Sequence, residues 1–292
     1  MVRKDRILVR FVAWIAGALM LGSFAGALHP LGDSLAVVRL PLAVVFALAV
    51  IWTPWRAVWR WPLALLGMAV LGQGIWMKMD QHAPGDFTLY QKNMLFRNSA
   101  LGALADDIRA RGPDVVTLQE VSNRNESLLA DLAQDYPHQQ LCRFQSWLGV
   151  AVLSRLKPVA GVAPLCSPQF GLAGLQVEGP EGPLWVLSIH LHWPFPFEQA
   201  DHLERLVPLL NSLSEPVVLG GDFNMVPWGQ SVRWVGQLVE GTRAGPVRPT
   251  YWFKGVGPLP IDHVFAPGGG AVEVLPAIGS DHNGLLARLR LK

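Results

Sequence analysis

Charge is scarce in this 292-residue sequence: Asp, Glu, Lys and Arg make up 16% against 51% hydrophobic residues, and mean hydropathy is +0.29. That balance excludes a disordered chain. Cysteine is scarcer still. Two residues, Cys142 and Cys166, exclude a disulfide-dense mini-protein and a Cys-rich zinc site. No Gly-x-Ser-x-Gly elbow is present, which removes the usual signature of a Ser/His/Asp hydrolase, and there is no internal repeat or low-complexity tract.

What charge there is divides unevenly. Residues 1–79 carry eight Lys/Arg and two acids, whereas residues 80–292 carry sixteen Lys/Arg and twenty Asp/Glu, a net of −4. The basic pI of 8.7 therefore comes from the first part, and the larger part lacks the basic surplus of a strongly cationic nucleic-acid-binding domain. This composition shift sets the expected boundary: a membrane anchor over 1–79 and a catalytic unit over 80–292.

Three apolar stretches stand in the first part, at 7–28, 35–52 and 62–77. About 20 apolar residues cross a bilayer, so the first fits, the second nearly fits and the third is short. Trp52, Trp55, Trp59, Trp61 and Trp76 supply interfacial ends, and Arg10 and Arg39 are placed to snorkel. The tail carries Arg3, Lys4 and Arg6, the loop at 29–34 has no cation, and the loop at 53–61 has Arg56 and Arg60. The positive-inside rule thus puts everything after Met77 outside the cytoplasm, on the periplasmic or extracellular side of an inner or cell membrane. A buried helical pair is the bland alternative. Ala25-Gly26-Ala27 would also allow cleavage of the first stretch as a signal peptide, and the uncleaved reading is preferred. In an exported domain Cys142 and Cys166 either form a disulfide or remain buried thiols, and their spacing does not decide between them.

From Asp86 onward short β-rich runs alternate with amphipathic helices. Strands are expected at 87–94, 114–121, 139–144, 149–154, 159–165, 172–177, 184–191, 217–223, 261–266, 272–276 and 284–291. Helices are expected at 99–111, 125–134 and 197–213, the last with Pro208 as a break or kink. So many strands with few helices suggest two stacked sheets flanked by helices. Loops at 167–171 and 241–257 are long enough to wall a site.

Polar residues gather where these strands end. Val115 to Leu118 run into Gln119-Glu120, and Val217 to Leu219 lead through Gly220-Gly221 into Asp222-Phe223-Asn224. Period two puts Asp222 and Asn224 on one side, where a carboxylate and an amide can hold one water. Ser188-Ile189-His190 ends one strand, Pro260-Ile261-Asp262-His263 opens another, and Ser280-Asp281-His282 precedes the last. A lone histidine in a strand is usually structural, but this succession of elements at strand ends points to one site.

With Tyr90-Gln91-Lys92-Asn93 added, these segments in this order resemble the endonuclease/exonuclease/phosphatase superfamily, the DNase I-like metal-dependent phosphoesterases. The resemblance covers about residues 86–292, and membrane-tethered members form a subgroup. It implies an α/β fold, a four-layer α/β/β/α sandwich, here preceded by about three transmembrane helices. It also implies a divalent cation, Mg²⁺ or Mn²⁺, held by Asn93 and Glu120 with Asp281 nearby. Asp222 would be the base that stays ionised, and Asn224 would align its water. His190 and His282 would donate to phosphoryl oxygens, with Asp262 fixing His282. Asn283-Gly284 departs from the basic residue and proline of many relatives, which puts that loop's phosphate contact in question. His192 is read as structural, and Asn98 as a helix cap in preference to a loop tether.

The expected partners are a phosphoester substrate and the bilayer; no protein partner is indicated. The nine residues at 78–86 reach at most about 30 Å, which keeps the site near the bilayer and favours a lipid or other envelope phosphoester. An exported nuclease acting on DNA or RNA is the alternative, and a non-catalytic scaffold is disfavoured because the motif carboxylates are intact.

Overall fold

The computed structural model describes residues 3–79, 82–254 and 257–292, so parts of the expected tether and of the 241–257 loop lie outside the described residues. The first part folds into helices α1 (Arg3–Gly22), α2 (Leu31–Val37), α3 (Arg39–Trp52) and α4 (Ala57–Met79). Among the described residues only α4 is by itself long and apolar enough to cross a membrane, against the three spans expected. Asp5, Arg6 and Arg10 shorten the apolar run of α1. The stretch at 35–52 bends by 73° between α2 and α3. Pro41, in the first turn of α3, has no N–H to continue the helix and its ring crowds the carbonyl four residues back. Small residues face inward here: Ala13, Ala16 and Ala43 pack around Phe46, and a side chain at Gly17 would strike the Phe46 ring at 2.8 Å. Large apolar residues such as Phe11, Trp14, Leu48 and Leu65 face outward.

The second part is built on two six-stranded mixed sheets. In chain order the elements are β1 (Phe87–Asn93), α5 (Leu101–Arg111), β2 (Val115–Ser122), α6 (Ser127–Asp131), β3 (His138–Gln145), β4 (Leu148–Ser154), β5 (Leu165–Ser167), β6 (Leu172–Gly179), β7 (Gly182–His190) and α7 (Gln199–Asn211). They continue with β8 (Val217–Asp222), α8 (Gln230–Leu238), β9 (Thr242–Arg243), β10 (Tyr251–Phe253), β11 (Gly257–Leu259), β12 (Asp262–Ala266), β13 (Gly270–Leu275) and β14 (Gly284–Leu289). One sheet has the order β13-β14-β1-β2-β4-β3, the other β5-β6-β7-β8-β12-β9. The two sheets pack through Leu89, Val115, Val186, Val218 and Val264, α5 and α6 cover the first through Leu104, Ile108 and Leu128, and α7 and α8 cover the second through Leu203, Leu206 and Val235. These are the four layers expected.

The helix expected at 125–134 shrinks to α6, and of the strand expected at 159–165 only Leu165 enters a strand, β5, because Gly161 and Pro164 interrupt the rest. Pro208 lies inside α7 without ending it. Helix α8 and the β10–β11 hairpin have no counterpart in the sequence reading. Cys142 on β3 and Cys166 on β5 form a disulfide, which joins the edge strands of the two sheets. Closing a loop of 24 residues stabilises by about 3 kcal/mol in the chain-entropy account.

The helical part docks on the second sheet's helices. The Asp33 carboxylate accepts from the Gln230 and Ser231 amides at 2.6 and 2.9 Å and so caps α8 from outside its own helix. Trp228 Nε1 donates to the Ala36 carbonyl at 2.7 Å, taking up an acceptor that the break after α2 would leave open. Arg39 does not snorkel: it is buried, donating to Ser23 and to the Trp228 carbonyl.

Candidate active site

The inward faces of five neighbouring strands change from apolar to polar in the same direction. Leu89 gives way to Gln91 and Asn93 on β1, and Val115 to Thr117 and Gln119 on β2. Val186 gives way to Ser188 and His190 on β7, Val218 to Gly220 and Asp222 on β8, and Val264 to Asp262 on the antiparallel β12. Alternation at period two makes each of these a single face. The gap between the sheets therefore has an oily end and a polar end. Glycine is required at the Gly220-Gly221 approach: a Cβ on Gly220 would meet Thr117 Oγ1 at 2.4 Å, and one on Gly221 the Ile189 carbonyl at 2.3 Å.

A buried chain of hydrogen bonds fills the polar end. Asn93 Nδ2 donates to Asp222 Oδ2 at 2.9 Å and to Glu120 Oε1 at 3.1 Å. Asp222 Oδ1 accepts from the Asn224 amide at 2.8 Å. His282 Nδ1 donates to Asp262 Oδ2 at 2.8 Å, and its Nε2 stands 3.7 Å from Asp222 Oδ2. His190 Nε2 stands 3.5 Å from the same oxygen. Glu120, His190, Asp222, Asn224, Asp281 and His282 line one cavity of about 920 Å³. Seven of the eight expected residues are joined by these contacts; the eighth, Asp281, is exposed on the cavity wall. Asn224 Nδ2 donates to the Leu191 carbonyl at 2.8 Å and lies 3.4 Å from His190 Nε2, so this side chain braces β7 rather than projecting freely at a water.

Glu120 and Asn224 both adopt positive φ, 56° and 49°. Glu120 lies where the β2–β4 register shifts, so a bulge turns its side chain off the strand's alternation.

Burial opposes the charge on His282, but Asp262 and Asp222 override it and hold its pKa up at about 10. Burial raises Asp222, against the pull of His282, His190 and the Asn224 amide. Burial thus lifts the pKa of the expected base, which brings it closer to working pH. Asp262 is pushed up by burial but ends lowered, through His282 and hydrogen bonds from Thr250 and Gln91.

Asp222, Asp262 and His282 place one atom each within 4.8 Å of one another, a spacing a metal ion would accept. Their hydrogen bonding argues otherwise. A His282 that stays protonated has no lone pair for a cation, and Asp262 already takes bonds from His282 and Gln91. Glu120 fits a hard cation better: its oxygens accept one bond each, from Asn93 and Phe96, and it opens on the cavity with Asp281.

Several supporting residues carry no short sequence signal. Gln119 bridges Gln91 and Ser188. Lys92 is buried on the opposite face of β1 and ties the 276–282 loop through the Ala277 and His282 carbonyls; burial lowers its pKa to about 8. The Tyr251 ring lies 4.7 Å from that of His282. Gln199 of α7 donates to the His192 and Phe223 carbonyls, at 2.5 and 2.9 Å. His202 Nδ1 accepts from the His192 amide, while the His192 side chain stands on the cavity wall. Asn98 is not the cap of α5, whose N-cap is Ala100; it bonds the Ile278 carbonyl and the Ala100 amide, tethering the loop before Asp281.

Residues 90–282 match the Endonuclease/Exonuclease/phosphatase family. The chain belongs to that family. Similar solved structures include TDP2 of D. rerio complexed with a single-strand DNA product (TM-score 0.55, 17% identity, 69% of this chain and 97% of that one). Sphingomyelinase C from Streptomyces griseocarneus gives TM-score 0.52 at 17% identity over 70% and 99%. An endonuclease/exonuclease/phosphatase family protein from Leptotrichia buccalis C-1013-b gives 0.54 at 16% over 70% and 99%. At such identities the likeness is one of fold. No curated protein matches the sequence. Members of the endonuclease/exonuclease/phosphatase family are phosphoester hydrolases that typically use a divalent metal.

Proposed function

We propose that this chain is a membrane-anchored, divalent-metal-dependent phosphoesterase whose catalytic domain lies outside the cytoplasm. The observation that carries the reading is the placement of Asp222: buried, fixed by Asn93 and the Asn224 amide, and faced by two histidines at the floor of the cavity. Asp222 takes a proton from a water directed at phosphorus. The His282 imidazolium, its charge supported by Asp262, donates a hydrogen bond to a phosphoryl oxygen, and His190 gives a proton to the leaving oxygen as the ester P–O bond breaks. Mg²⁺ or Mn²⁺ held by Glu120, Asn93 and Asp281 would polarise the phosphoryl group and offset its charge.

The sidedness has geometric support. Residues 33–39 and the end of α4 touch the catalytic domain, the latter through the Met77 and Lys78 carbonyls. Arg56 and Arg60 lie at the opposite ends of these helices, where the positive-inside rule puts the cytoplasm. The second reading, an exported nuclease, draws on the same hydrolytic site, but the domain's net charge of −4 offers little counter-charge to a polyphosphate.

The test is hydrolysis of a bis-aryl phosphodiester by the full-length protein. Activity is expected to vanish with chelator, return with Mg²⁺ or Mn²⁺, and fall at least about 100-fold in Asp222→Asn. Hydrolysis that ignores chelation and this substitution would overturn the reading. Plasmid nicking across a salt titration separates the nuclease alternative.

A further inference from the structure

Among the described residues after 79, six large hydrophobic residues are exposed: Trp147, Val162, Phe195, Phe197, Trp252 and Phe253. Five are aromatic. Their clustering decides what they mean, since single exposed apolar residues are ordinary and contiguous ones are not. Phe197 and Trp147 stand on the walls of the catalytic cavity. Phe253 packs on Trp193 at 5.7 Å, Trp193 on Tyr251 at 6.2 Å, and Tyr251 on His282 at 4.7 Å, so an aromatic path runs from the exposed β10–β11 hairpin to the site.

The same two segments meet the membrane-side helices. The Phe195 ring packs 5.7 Å from His29, and its carbonyl accepts from the Ser34 hydroxyl at 2.5 Å, both in the segment that links α1 to α3. Pro258 and Leu259 of the hairpin line a small cavity with Val37, Leu40 and Lys78. Aromatic rings beside helix ends, with Lys254 directly after Trp252-Phe253, have the composition of a membrane-interface belt.

We infer that the loop at 193–197 and the β10–β11 hairpin form an aromatic collar that seats the cavity mouth on the bilayer, so that the enzyme takes its phosphoester from a membrane lipid headgroup. This rests on the phosphoesterase reading above and names its substrate class. Phe195 and Phe197 flank Pro196, whose fixed φ leaves the loop that carries both rings less backbone freedom to lose.

The experiment uses the full chain reconstituted in phosphatidylcholine/phosphatidylglycerol vesicles. The two native cysteines are disulfide-bonded, so Phe253→Cys or Val162→Cys adds a single thiol for an environment-sensitive fluorophore. Val162 precedes β5 and its amide bonds the Val159 carbonyl, beside Pro158, which bridges Val177; Val177 pairs with Leu184 at the strand end remote from His190. Nitroxide-bearing lipids should quench the label at 253 several-fold more than that at 162. Equal quenching would overturn the collar. In the second arm, Trp252→Ala/Phe253→Ala should lower the ratio of vesicle-phospholipid to soluble bis-aryl phosphodiester hydrolysis at least fivefold, with Trp252→Phe restoring it. An unchanged ratio would overturn the proposal, as would wild-type protein that cleaves the soluble ester or single-stranded DNA but no vesicle lipid. A wild type inactive on every ester with metal present would instead overturn the underlying phosphoesterase reading, while the quenching arm still judges the collar.

Discussion

At the scale of the residue, the site is a problem of placing charge where water is sparse. Asp222 and Asp262 are both buried, and one imidazolium between them is what makes two carboxylates tolerable there. This has a pH signature. His282 is held well above its ordinary 6.5, at about 10, so its contribution to stability is complete below pH 6.5 and is lost as pH rises through about 10. Denaturant midpoints should therefore decline over that interval. Asp262→Asn should flatten the decline and move the basic limb of the activity profile toward neutrality; a limb that stays near pH 10 would contradict the pairing. Asp222, Asp262 and His282 were legible because each ends or opens an apolar strand run. Tyr251 was not, and neither were the partners of Gln91, Lys92 and Gln119, because a polar residue in a strand looks the same in sequence whether it meets water or a partner 28 or 190 positions away.

At the scale of the element, strand alternation delivers the chemistry and helices brace it. Helix α7 covers the second sheet through Leu203 and Leu206, yet its first residue, Gln199, enters the site by linking the segments after β7 and β8. Gln199→Leu leaves the buried Phe223 carbonyl and the part-buried His192 carbonyl short of a donor, which costs about 1–3 kcal/mol of stability. It should also lower kcat about tenfold with KM nearly unchanged, since His190 and Asp222 lose their fixed separation. Steady-state kinetics at saturating metal checks this, and a wild-type kcat would show that the strand ends hold without α7. Helix α8 escaped the sequence reading although Val232, Val235 and Val239 are spaced for a buried face. Its start lacks a local cap because the cap, Asp33, is 197 residues away in sequence.

At the scale of the whole molecule, that cap shows that the two parts are not merely tethered. Asp33, Arg39 and Trp228 interlock the break between α2 and α3 with the entrance to α8. Composition suggested a boundary near residue 79 and the strand count suggested the layered fold, but no local pattern could reveal a contact between the two parts. Asp33→Ala should speed amide exchange at Gln230 and Ser231 about tenfold, matching a lost capping interaction of about 1–2 kcal/mol. Unchanged protection would show that the interlock is incidental.

The proposed mechanism needs one divalent cation at Glu120 beside a metal-free Asp222–His282–Asp262 relay. Mn²⁺ binding to the full-length protein, followed by electron paramagnetic resonance, tests it most directly. The account predicts a single tight site that is lost in Glu120→Gln and kept in Asp262→Asn; a site kept in the first and lost in the second would put the metal among Asp222, Asp262 and His282 and contradict it.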